Sequence, residues 1–116
     1  MIEKIGIGID IIDTVRFKGK PFETNENFYK KIFHDSEIKY CLEHVNSSQS
    51  FAAKFAIKES VIKSINHQIS FLDILTGHLD SKPTVTLLND HSYDFLVSIS
   101  HEKLHAVAVV ISEKHT

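Results

Sequence analysis

Two carboxylates, Glu59 and Asp10, stand with lysines and an arginine at positions where chemistry is possible. Glu59 lies inside Ser50-Phe51-Ala52-Ala53-Lys54-Phe55-Ala56-Ile57-Lys58-Glu59-Ser60-Val61-Ile62-Lys63-Ser64-Ile65, a run without Gly or Pro and rich in helix formers. On a helical wheel Phe51, Phe55 and Ile62 form one stripe, Ile57, Val61 and Ile65 a second, and Ala52 and Ala56 a third. Such a helix is apolar around most of its circumference and is expected to be buried on more than one side. Glu59 falls between the Phe and Ala stripes, with Lys63 one turn on. A carboxylate on an apolar face needs a cation, a metal or hydrogen-bond donors. Two readings stay open at this point. One is an ordinary i,i+4 pair of Glu59 with Lys63 reaching solvent. The other makes Glu59 a metal ligand or base, with small alanines beside it so that a ligand can approach.

Asp10 is the second carboxylate. Lys4 to Asp13 alternates with period two, the pattern of a strand. Ile5, Ile7, Ile9 and Ile11 take one face, and Gly6, Gly8 and Asp10 the other. The glycines permit either close backbone packing or a floor over which a ligand reaches Asp10. The Gly-x-Gly pair lacks the third glycine and helix of a dinucleotide fingerprint. Arg16, Lys18 and Lys20 follow within seven residues that hold no acid. They form either a solvated turn or a docking patch for an acidic partner.

The elements that must position these groups are those of one small domain spanning 1–116, with a net charge of −2 that excludes a generally basic nucleic-acid binder. A short helix is expected over Phe28–Phe33. A second begins near Asp35 and carries Ile38, Cys41, Leu42 and Val45 on its apolar face. Asn46-Ser47-Ser48 reads as a polar break. Phe71–Ile74 reads as a short strand, 76–83 as a loop, and the stretch around Val85 and Leu87 as another strand. Phe95–Ser100 and Leu104–Ile111 read as a terminal antiparallel pair, the second nearly all apolar and therefore central. The fold class is α+β, helices packed on an antiparallel sheet. The single Cys41 reads as core and suits a reducing compartment. No long apolar run or signal-peptide layout is present, so a cytoplasmic protein is expected.

His101-Glu102-Lys103-Leu104-His105 matches His-Glu-x-x-His, which serves zinc chemistry only when a helix brings both imidazoles to one face. Here it lies between two strand patterns, so the zinc-peptidase reading is set aside.

Taken together, Gly8-Ile9-Asp10, Arg16, Phe51 to Lys63, Lys82-Pro83, Ser98-Ile99-Ser100-His101 and Ala106 to Val110 resemble the holo-acyl-carrier-protein synthase type of 4′-phosphopantetheinyl transferase over nearly the whole chain. The resemblance implies transfer of the phosphopantetheine arm of coenzyme A to a serine of an apo acyl carrier protein, releasing 3′,5′-ADP. It implies Mg²⁺ held by Asp10, Glu59 and pyrophosphate oxygens, with Glu59 assisting removal of the serine proton and Lys63 near the phosphates. Lys54 and His101 would lie near coenzyme A phosphates, and Arg16 would face the carrier. It implies a homotrimer with active sites between subunits, which would account for the helix apolar on nearly every side. The alternative is a trimeric binding homologue without efficient turnover. Departures from the family pattern are Ser60 in place of Ala, no glycine in Ser64 to Gln68, Ser81 in place of Gly before Lys-Pro, and His34 in place of a Thr N-cap, where Asp35 could substitute.

Overall fold

The computed structural model describes residues 2–115. Strand β1 (Ile5–Asp13) is followed by helices α1 (Val15–Lys18), α2 (Glu26–Lys30), α3 (Asp35–Leu42) and α4 (Ser47–Ser64), then by strands β2 (Ile74–Leu79), β3 (Lys82–Leu87), β4 (Tyr93–His101) and β5 (His105–Lys114). The strands form a three-stranded sheet of order β1-β5-β4 and a separate β2-β3 hairpin, all antiparallel. The α+β expectation holds, and the apolar β5 is the central strand.

Helix α4 is the centre of the molecule. One side lies across β1 and β5. The approach is so close that a Cβ on Gly8 would stand 1.9 Å from the Ser60 carbonyl oxygen, and one on Gly6 1.8 Å from that of Ser64. The glycines therefore serve close packing of helix on strand, and the reading of them as a ligand floor is displaced. Ser60, the residue in the family's alanine position, has its single hydroxyl proton within reach of both the Ala56 carbonyl in its own helix and the Ala108 carbonyl of β5, the latter at 3.0 Å. Ser112 donates to the Ser64 carbonyl from the same sheet. On its other side Phe51 and Phe55 join Phe17, Tyr29 and Phe33 in an aromatic cluster.

Helix α4 is thus wrapped within a single chain, and its all-round apolarity needs no partner subunit. What remains open is the outer face of the sheet. Strand period puts Gly6, Gly8, Asp10 and Ile12 toward α4 and Ile5, Ile7, Ile9 and Ile11 away from it, where Ile7, Ile9 and Ile11 are 67%, 60% and 62% exposed.

Several local expectations are corrected. Residues 71–73 form a 3-10 turn closed by Ser70 and Asp73 rather than the start of a strand. The stretch 76–83 is not a loop but the end of β2, a two-residue turn and the start of β3, with Asp80 and Ser81 of the turn at φ of 50° and 70°. Helix α4 begins at Ser47, so the polar Asn46-Ser47-Ser48 leads into the helix. Helix α3 stops at Leu42, leaving Val45 fully exposed rather than on an apolar face. The basic stretch after β1 is the short helix α1, anchored by Thr14, whose hydroxyl donates to the Lys103 carbonyl at 2.8 Å.

Candidate active site

Asp10 and Glu59 come together where β1 passes under α4. Asp10 reaches the site because inward positions of β1 face the helix, and the glycines that precede it bring the strand close. Its Oδ1 accepts from Lys63 Nζ at 3.1 Å, and the same ammonium donates to the Ile9 carbonyl at 3.0 Å. Its Oδ2 is buried without a hydrogen-bond partner among the described residues. A buried carboxylate oxygen left unpaired is costly, so this atom marks a place for a cation. Glu59 is half-buried and carries no ion pair among the described residues. Burial raises its carboxyl above the ordinary value. Repulsion from Asp10 adds to this, and the charges of Lys63 and Arg16 oppose it. The i,i+4 pairing of Glu59 with Lys63 is therefore not what forms; Lys63 turns to the strand instead.

Two oxygen-bearing side chains with one vacant oxygen suit Mg²⁺, which binds through one or two carboxylates and completes its shell with water and substrate phosphates. Among the described residues no cluster of three or more metal-ligating side chains exists. The His-Glu-x-x-His match lies across the β4–β5 turn. Glu102 there accepts from the His105 ring at 3.0 Å, and His101 is paired with Ala106.

Lys54 and His101 line a second feature, a cavity of about 440 Å³ bordered also by Tyr40, His78, Ser81 and Pro83. Lys54 is only 4% exposed, and burial lowers its ammonium below the ordinary value. Lys54 and Glu59 are five residues apart on α4, a rotation of about 140° around the helix axis. The carboxylate pair and this cavity therefore open on different faces. Arg16 is exposed on α1 with its guanidinium 5.1 Å from the centre of the Phe55 ring.

Sequence reasoning passed over Glu37, Lys58 and Thr76. Glu37 and Lys58 form an ion pair at 2.8 Å with both side chains inaccessible to solvent. Burial pushes the Glu37 carboxyl up, but hydrogen bonds from Lys58 and Thr76 outweigh it and hold it below its ordinary value. The available signal was Lys58, a lysine set among Phe55, Ile57 and Ile62 that had to find an anion. Cys41 is core, as expected, its thiol pushed up by burial to about 12.

The family model of the 4′-phosphopantetheinyl transferase superfamily matches residues 6–111. A holo-[acyl-carrier-protein] synthase of Thermodesulfovibrio yellowstonii is 38% identical, the match covering 96% of this chain and 98% of the relative. The crystal structure of a holo-(acyl-carrier-protein) synthase from Bacillus anthracis, in complex with CoA (3′,5′-ADP), superposes with a TM-score of 0.78 at 31% identity, over 96% of this chain and 98% of that one. That of Helicobacter pylori in complex with coenzyme A gives 0.74 at 32% identity, over 92% and 99%. With the family model spanning almost the whole chain and a relative this similar over its full length, the chain belongs to the 4′-phosphopantetheinyl transferase superfamily.

Proposed function

We propose that the protein transfers the phosphopantetheine arm of coenzyme A to a serine hydroxyl of an apo acyl carrier protein and releases 3′,5′-ADP. The observation that carries this reading is the vacant buried oxygen of Asp10 beside Glu59, in a chain 38% identical to a holo-[acyl-carrier-protein] synthase. The serine oxygen attacks the phosphorus that bears the pantetheine arm. The bond from that phosphorus to the bridging oxygen breaks, and the electron pair leaves with 3′,5′-ADP.

Asp10 and Glu59 would hold Mg²⁺, which supplies charge stabilisation for the pyrophosphate as its bond breaks. Glu59, beside the attacking hydroxyl, takes the serine proton. Lys63 has a long stem and half its side chain in solvent, and it serves as a point charge for the phosphates. Lys54 and His101 bind further phosphate oxygens in the cavity they line. Arg16, exposed in a basic segment, meets the acidic carrier.

The assembly is a homotrimer. The open isoleucine face of β1 supports this, because a patch of that kind on a small domain marks an interface. So does the placement of Lys54 and Glu59 on different faces of α4, since one coenzyme A can engage both kinds of group where two subunits meet. A reducing cytoplasm suits the single buried thiol. No helix among the described residues is long and apolar enough to cross a membrane.

The test is chromatographic. With coenzyme A, Mg²⁺ and an apo carrier, 3′,5′-ADP accumulates in proportion to carrier, and none forms when any one of the three is left out. Tight coenzyme A binding without 3′,5′-ADP release would instead favour a binding homologue.

A further inference from the structure

A buried hydrogen-bond chain runs from α3 through β2 to the cavity wall. Glu37 Oε1 accepts from the His34 backbone N–H at 2.7 Å and from Lys58 Nζ at 2.8 Å. Lys58 spends its other two donors on the Ile32 and Phe71 carbonyls. Glu37 Oε2 accepts from the Thr76 N–H at 2.9 Å and from the Thr76 hydroxyl. A threonine hydroxyl has one proton. With that proton committed to Glu37, its lone pairs face outward, and Lys54 Nζ donates to them at 3.0 Å. The Tyr40 ring lies 4.6 Å from the same ammonium. Lys58 already neutralises Glu37, and no carboxylate forms an ion pair with Lys54 among the described residues. Lys54 thus has no direct ion-pair partner and keeps spare N–H groups at the cavity wall, held by a hydroxyl that can only accept.

We propose that Thr76 is a positioning residue for coenzyme A binding: its hydroxyl, oriented by the Glu37–Lys58 pair, fixes the Lys54 ammonium where it meets a phosphate of the substrate. This rests on the coenzyme A reading above. A purely structural role would give a different result, because Thr76 also ties β2 to α3 through its backbone, and that bond survives side-chain replacement.

The experiment is steady-state kinetics on Thr76→Val and Thr76→Ser, with Thr76→Ala reporting the same quantity should valine fail to pack. Losing the acceptor raises the KM for coenzyme A about tenfold, the effect of one misplaced charge-assisted hydrogen bond. The kcat and the KM for the carrier stay within about twofold, and serine restores the wild-type value. In a Lys54→Met background the same Thr76 change has no further effect. A folded Thr76→Val with wild-type KM for coenzyme A, or equal losses toward both substrates, overturns the inference. A wild type without turnover overturns the coenzyme A reading together with it, whereas an active wild type with an indifferent Thr76 overturns the inference alone.

Discussion

The proposed mechanism asks two things of Glu59 that conflict without a bound metal: to be an anion, and to sit half-buried beside Asp10. Its carboxyl is raised for that reason. Between the ordinary value of 4.5 and its raised one, the folded state binds more protons at Glu59 than the unfolded state does. Stability from this group therefore falls as pH rises through that window. Melting curves in chelator, from pH 4.5 to 7.5, should show Glu59→Gln gaining on the wild type as pH rises. Excess Mg²⁺ should raise the wild-type Tm and leave that of the variant nearly unchanged. A constant gap across pH, or equal responses to Mg²⁺, would remove Glu59 from the metal site. The sequence made Glu59 conspicuous as a carboxylate on an apolar helix, and Asp10 as a carboxylate directly following two glycines on one strand face. It could not tell that Lys63 would choose Asp10 over Glu59, since that choice depends on how near β1 runs to α4.

At the scale of elements, the site depends on the contact of β1 with α4. Gly8→Ala places a methyl 1.9 Å from the Ser60 carbonyl oxygen, and backbone has no rotamer by which to yield. Separating the elements should cost roughly 3 kcal/mol, read as a lower denaturant midpoint, and should lower activity by moving Asp10. An unchanged midpoint would mean that the packing is looser than the geometry indicates. Period two in β1 and the uninterrupted helix formers of α4 made these elements readable. The β2-β3 hairpin was not readable, because its turn has two positive-φ residues, Asp80 and Ser81, where Asn-Gly would normally announce it. The Glu37–Lys58–Thr76 chain escaped for a related reason: two of its members lie on elements far apart in sequence, and one of those elements was read as a loop.

For the whole molecule, the outer face of the sheet is the unfinished surface. Ile9→Asp puts a charge in the middle of it without touching α4, since Ile9 points away from the helix. Sedimentation or light scattering should show the wild type as a trimer and the variant as a monomer, with coenzyme A affinity lost along with the assembly. A wild-type monomer, or a variant that stays trimeric, contradicts the assignment of this face. The alternation that made β1 legible also showed that these isoleucines share one face. It did not show that this face looks outward, because helix α4 covers the side bearing glycine and aspartate. The central claim, transfer through Asp10 and Glu59, is tested most directly by weighing an apo acyl carrier protein after incubation with coenzyme A, Mg²⁺ and either wild type, Asp10→Asn or Glu59→Gln. The account predicts a gain of one phosphopantetheine with wild type, lost on chelation, and at least a hundredfold slower gain with either variant, about 2.7 kcal/mol or more of transition-state stabilisation. No gain from folded wild type, or full modification by either variant, would contradict it.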